Sequence, residues 1–138
     1  MTALSLAQLT EAEIAALVRA FYGKVRADAM LGPVFATVVG TTDDDWREHL
    51  ATLTDFWSSV MLSSGRYKGN PLAKHRALAA LKQWHFPRWL ALFRIACAEC
   101  FTPELAAAFV GKAERIAQSL EIGVMLDREG LGGLRRGR

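Results

Sequence analysis

The chain has 138 residues, of which 51% are hydrophobic and 22% are charged, with a formal net charge of +3. This length and composition predict one globular domain with a single core. No apolar run approaches the roughly 20 residues that a membrane-spanning helix needs, and residues 1–9 lack a secretory signal, so we expect a cytoplasmic protein that does not bind membranes. The two cysteines, Cys97 and Cys100, do not form the spaced framework of an extracellular disulfide protein and are expected to be reduced thiols.

The positive charge is concentrated at the end of the chain. Residues 1–126 carry 13 Lys and Arg against 12 Asp and Glu, whereas residues 127–138 carry four arginines against two acids. We therefore interpret residues 1–126 as a single domain and residues 127–138 as a disordered Gly- and Arg-rich tail. A nearly neutral domain does not indicate nucleic-acid binding.

Helical periodicity appears in four segments, and no alternating strand pattern is present. The first helix is predicted to begin at Thr10, where Glu13 completes a capping box, and to be broken at residues 31–33 because proline cannot continue a helix. The second helix begins in the acidic cluster of residues 43–45, which suits the positive end of a helix dipole. An irregular stretch, residues 63–85, follows it and includes a short predicted helix from Pro71 to about Ala80.

The remaining two helices lie in the second half of the chain. One is predicted from about Phe86 to Cys100, and the other begins at Thr102-Pro103, a cap followed by proline, and ends near Leu126. The sequence thus predicts an all-α domain with a four-helix core. Long irregular connections in small domains are commonly functional or disordered. Residues 63–85 are rich in large side chains, which favours function.

Three residues on the apolar faces of three predicted helices carry a hydrogen-bond donor. They are Tyr22, His49 and Trp89. Taken singly, each is more typical of a core residue whose polar atom has found a partner. Together they indicate a cavity that holds a small polar or anionic species.

His75 lies apart from these three, in the irregular stretch. One imidazole is sufficient to hold a haem iron, because the porphyrin nitrogens fill the other four positions in the plane. On its own, this residue is more typical of a surface or core role than of an iron ligand.

Other kinds of site lack their residues. The chain contains no Glu-x-x-His for a di-iron bundle, no second cysteine pair for structural zinc, and no glycine-rich phosphate loop. The serine pairs at residues 58–59 and 63–64 have no neighbouring motif that marks a nucleophile.

Six stretches, in order along the chain, resemble the group III truncated haemoglobins: residues 21–26 (FYGKVR), 31–35 (LGPVF), 46–50 (WREHL), 55–59 (DFWSS), 69–75 (GNPLAKH) and 85–93 (HFPRWLALF). The resemblance covers roughly residues 10–120. It implies a truncated globin fold, a two-over-two helical sandwich around haem b. It also implies that His75 is the proximal iron ligand, that Tyr22 and Trp89 are distal donors, and that His49 lies at the distal gate.

The same resemblance implies further contacts with the haem. Its apolar contacts would be Phe35, Leu53, Phe56, Leu72 and Phe86. Candidates for contacts with the propionates are Tyr67, Lys74 and Arg76. The implied function is binding of dioxygen and other diatomic ligands such as NO and CO. Two alternatives remain open: a peroxidase-like or NO-dioxygenase reaction that uses an external reductase, and a helical interaction module without a cofactor.

Overall fold

The computed structural model describes residues 8–68, 82 and 84–128, the last eight as backbone only. These residues form five helices and no strand, which confirms the all-α prediction. The helices are α1 (Glu11–Ala27), α2 (Leu31–Val38), α3 (Asp43–Leu62), α4 (His85–Cys100) and α5 (Pro103–Arg128). In this part of the chain, no helix is long and apolar enough to cross a membrane. The short helix predicted at residues 71–80 lies outside the described residues, as does the predicted tail from residue 129 onward.

The first helix is interrupted as predicted, but the break lies at residues 28–30, and α2 begins at residues 31–33, where the break was predicted. Pro33 is the third residue of α2. The first four amides of a helix have no carbonyl partner within the helix, so proline costs no helical hydrogen bond at this position. The first amides of the helix are satisfied from outside: the Asp28 carboxylate accepts hydrogen bonds from the amides of Met30 (3.1 Å) and Leu31 (3.0 Å). The chain therefore turns at residues 28–30, and the described part contains five helices rather than four.

Three other predicted helix starts are confirmed, each with a threonine before it, whereas α4 begins at His85, one residue before the predicted Phe86, without a side-chain cap. The Thr10 hydroxyl accepts from the Glu13 amide at 3.4 Å, and the two side chains also contact each other. At the start of α3, Thr42 and Asp45 form a reciprocal capping box. The Thr102 hydroxyl accepts from the Leu105 amide at the start of α5, and this helix ends two residues after the predicted Leu126.

The four long helices pack as two pairs around a core of aromatic rings. Helix α1 packs against α3, α4 packs against α5, and α1 crosses α4. Phe21 of α1 and Phe93 of α4 meet at this crossing with ring centroids 4.9 Å apart. Trp57 of α3 stacks on Phe93 at 5.1 Å and contacts Phe109 of α5 at 5.5 Å. The rings thus connect all four long helices, in the two-over-two arrangement that the resemblance implies.

One ion pair joins the turn after α1 to the beginning of α4. Asp28 Oδ1 accepts from Arg88 Nε at 2.8 Å and from Arg88 Nη2 at 2.5 Å, and the Asp28 side chain is only 5% exposed. The hydrogen bond from Arg88 is the largest influence on Asp28 and lowers the pKa of its carboxyl. Since Asp28 also holds the first amides of α2, this carboxylate fixes three helix ends at one point.

Candidate functional site

A cavity of about 370 Å³ lies between the two helix pairs. Every described helix and the segment after α3 contribute to its wall. The lining residues are Tyr22, Phe35, Val38, Val39, Asp45, Glu48, His49, Thr52, Leu53, Phe56, Trp57, Tyr67, Trp89, Ile116 and Leu120. Most of them are apolar or aromatic. The cavity therefore suits a largely apolar ligand that a few polar groups orient.

Tyr22 and Trp89 lie close enough together in this wall for the Trp89 N–H to lower the pKa of the Tyr22 phenol as a hydrogen-bond donor. An indole can only donate, so the Tyr22 oxygen is the acceptor in this interaction. Burial is the larger influence on Tyr22 and raises its pKa to about 12, although the hydrogen bond from Trp89 acts in the opposite direction. The phenol consequently stays protonated at neutral pH and can donate a hydrogen bond.

His49 lies beside Tyr22 on the same wall. Its imidazole meets the Tyr22 ring edge to face, with centroids 5.7 Å apart and planes at 88°. A second edge contact, with Trp46, has centroids 5.5 Å apart and planes at 89°. The Nε2 atom of His49 is buried. Tyr22, His49 and Trp89, which lie on three different helices, are thus brought together as expected from the sequence.

Three of the predicted apolar contacts also line the cavity. Phe35 of α2 is 4% exposed and meets the Tyr22 ring at 5.9 Å. Leu53 and Phe56 follow His49 along α3, at positions four and seven, so they share its helix face. Phe56 also contacts Tyr67, with ring centroids 5.3 Å apart. The apolar wall is therefore continuous with the polar wall formed by Tyr22 and His49.

Phe86 occupies a different position from these three. It is buried in a small cluster with Ala117 and Leu120, next to the residues of α5 that line the cavity. Its predicted contact with a cofactor stays a prediction. His75 and Leu72, and the propionate candidates Lys74 and Arg76, lie outside the described residues.

Tyr67 is held at the cavity by polar contacts of the segment after α3. Its amide donates to the Ser59 hydroxyl at 2.8 Å. One residue earlier in α3, the fully buried Ser58 hydroxyl contacts Glu11 of α1 at 2.7 Å and the Ser64 hydroxyl at 2.6 Å. Burial raises the pKa of the Tyr67 phenol. The two serines therefore tie the segment that carries Tyr67 to both α1 and α3.

Several lining residues were not predicted as parts of the site. They are Val38, Val39, Asp45, Glu48, Thr52, Trp57, Ile116 and Leu120. Three of these residues lie on α3 near His49: Glu48, Thr52 and Trp57. The helix face that carries His49 could therefore have identified them from the sequence. Ile116 and Leu120 are four residues apart on α5 and resemble any other apolar stripe in the sequence.

Comparison with known proteins identifies the family. No family model matches the chain. The chain is 36% identical over 113 residues to a group 3 truncated haemoglobin of Campylobacter jejuni, an alignment that covers 82% of this chain and 89% of that protein. A crystal structure of a group III truncated haemoglobin from Campylobacter jejuni matches with a TM-score of 0.83 and 34% identity, covering 90% of this chain and 95% of that one. Identity at this level over most of both chains, together with the shared fold, establishes that this chain belongs to the group III truncated haemoglobins.

Proposed function

We propose that the chain binds haem b in the cavity between its helix pairs and holds dioxygen, or another diatomic ligand such as NO or CO, against Tyr22, His49 and Trp89. Membership of the family implies a globin-type haem site. The cavity supports it independently, because about 370 Å³ of mainly apolar space with polar groups on one wall is typical of a cofactor site. The grouping of Tyr22, His49 and Trp89 in the wall of this cavity is the observation that carries the proposal.

The proposed iron ligand is His75, on the strength of the family motif at residues 69–75. Haem held by one imidazole supplies an open coordination position for a diatomic ligand. Phe35, Leu53 and Phe56 would contact the porphyrin, because they form the apolar part of the wall. Leu72 and Phe86 complete the proposed set of contacts.

Tyr22 would act as the principal donor to the ligand. Burial keeps its phenol protonated at neutral pH, so the hydroxyl hydrogen is available to donate into the cavity. Donation from the Trp89 N–H to the phenol oxygen would strengthen this outer hydrogen bond, because each bond polarises the next. Tyr22 is 3% exposed, so water competes poorly for the same hydrogen.

The strength of this donor is tested by the Tyr22→Phe variant. A hydrogen bond to a charged partner contributes about 1.5–3 kcal/mol, so its loss should speed oxygen dissociation at least about tenfold. Stopped-flow displacement of oxygen measures the rate. Tyr67→Phe is the matched control, because it removes the same hydroxyl from a tyrosine that packs against Phe56 in the apolar part of the wall, and it should have a smaller effect. An unchanged rate in Tyr22→Phe would refute the donor role.

The cofactor and its ligand are tested by absorption spectroscopy. We expect the purified chain to be coloured, or to take up hemin, with a strong Soret band; a colourless chain that takes up none would favour an interaction module.

The ligand is tested by a variant of His75. His75→Ala should alter the spectrum through loss of the bond between His75 and the iron. His85→Gln is the control: the His85 Nδ1 atom accepts from the Lys82 amide at 2.8 Å, and glutamine retains an acceptor. An unaltered spectrum in His75→Ala would exclude this residue as the ligand.

A further inference from the structure

Trp46 forms a second layer behind the polar wall of the cavity. It precedes His49 by one turn of α3, is 3% exposed, and is not itself a lining residue. Its ring contacts both His49, at 5.5 Å, and Tyr22, at 6.1 Å. Two of the three side chains proposed to face the ligand thus rest against the same indole.

The indole is fixed to the segment that precedes α3. Its N–H donates to the Gly40 carbonyl at 2.9 Å. Gly40 has a φ of +120°, which side chains rarely tolerate, and a Cβ there would overlap the Asp45 carboxylate. Asp45 belongs to the capping box with Thr42. The acceptor for Trp46 is therefore held by a glycine-dependent turn and by the cap of α3.

Arg26 holds the indole from the solvent side. Its guanidinium carbon lies 4.7 Å from the centroid of the Trp46 ring, within the range of a cation–π contact. Arg26 follows Tyr22 by four residues on α1, so the two side chains share one face of that helix. Helix α1 therefore contacts the indole through both a ring and a cation.

We propose that Trp46 is a positioning residue that keeps the His49 imidazole turned into the cavity, and that Arg26 stabilises Trp46 in this position. The inference deepens the proposed function, since it assigns a cause to the orientation of one proposed distal residue. If the His49 imidazole moved out of the cavity, it would either lose its edge contact with the Trp46 indole or displace that indole. Displacement of the indole would in turn break the bond to Gly40 and the contact with Arg26.

The test measures the fraction of molecules in which His49 is turned out of the cavity. It uses the imidazole ¹⁵N signals, assigned by their loss in His49→Gln, in the haem-free chain and in the carbon monoxide complex. The infrared C–O stretching bands of the complex give a second readout. An interaction shifts an equilibrium only by the free energy that differs between the two states. Arg26→Gln should therefore raise the outward fraction about two- to fivefold, the range that a cation–π contact at an exposed site allows.

Three further variants complete the design. Trp46→Phe should raise the outward fraction more than Arg26→Gln, because it also removes the bond to Gly40. Arg26→Lys keeps the cation and should retain the wild-type fraction. Arg47→Gln is the matched control: its guanidinium pairs with Asp44 at 2.5 Å, so the His49 signals should not change.

The outcomes separate this inference from the proposed function. Unchanged His49 signals in Arg26→Gln and in a folded Trp46→Phe overturn the positioning role, whatever the haem spectrum. If Trp46→Phe loses its helical circular dichroism, Arg26→Gln decides alone, because Arg26 is exposed at the surface. A wild-type chain that takes up no haem refutes the proposed function, whereas the His49 signals of the haem-free chain still test the role of Trp46.

Discussion

Replacing Tyr22 with phenylalanine should make the stability of the protein less sensitive to alkaline pH. The pKa of the Tyr22 phenol is raised from 10.0 to about 12, chiefly because burial disfavours the phenolate. The unfolded chain therefore loses this proton first as the pH rises. The contribution of Tyr22 to stability is complete below pH 10 and is lost between pH 10 and pH 12.

The size of this loss of stability follows from the rise in the pKa of Tyr22. Two pKa units correspond to about 2.7 kcal/mol of unfolding free energy, of which about 1.4 kcal/mol is lost by pH 11. The wild type should therefore lose about 1.4 kcal/mol more than Tyr22→Phe between pH 8 and pH 11. Any other contribution of the hydroxyl to stability that is present at both pH values cancels in the comparison.

Urea unfolding followed by circular dichroism at the two pH values measures this difference, with equal haem content in both samples. A direct titration is available because the chain has only two tyrosines. In a Tyr67→Phe background, phenolate absorbance reports Tyr22 alone and should appear near pH 12, or together with loss of helix. A midpoint near pH 10 in a folded protein, or equal losses of stability in both chains, would refute the reasoning.

Two further predictions concern the junction of α1, α2 and α4. Asp28→Asn removes the ion pair with Arg88. The pKa of the folded carboxyl lies below its ordinary 3.8, so the stability difference between wild type and variant should be largest near neutral pH and shrink in acid. Urea unfolding at pH 7 and pH 3 measures this difference, and an equal difference at both pH values would contradict the prediction. Gly32→Ala places a Cβ 2.6 Å from the Arg26 carbonyl oxygen and should cost roughly 1–3 kcal/mol in urea unfolding. Gly23→Ala, with nothing within 4 Å, is the matched control and should stabilise by roughly 0.5–1 kcal/mol; equal effects at the two glycines would contradict the close approach.

The sequence predicted the long helices well because their starts are local. Thr10 and Thr102 lie next to their helices, and the acidic residues 43–45 mark the third start. Helix α2 was missed for two reasons. The carboxylate that accepts from its first amides belongs to Asp28, which lies before the helix and was not recognised as its cap. Pro33 was interpreted as a helix breaker without regard to its position in the first turn. A proline has opposite meanings in the first turn and in the interior of a helix.

The candidate site was predictable only in part. Tyr22, His49 and Trp89 could be recognised because a polar atom on an apolar helix face needs an explanation. The role of Trp46 behind His49 was not predictable, since it depends on where the turn at Gly40 and the end of α1 meet α3. Contacts of this kind depend on how the helices cross, which the periodicity of the sequence does not specify.

The ion pair between Asp28 and Arg88 also bears on the order in which the molecule assembles. Its partners are 60 residues apart in the chain. Contacts of this separation form late, because closing a long loop costs entropy before the contact contributes. Helices α1 and α3, with Tyr22 and His49, can associate earlier than α4 arrives. The approach of Trp89 to Tyr22 therefore requires α4 to be docked on α1, and we expect partial unfolding that releases α4 to disrupt the proposed ligand site while α1 and α3 remain paired.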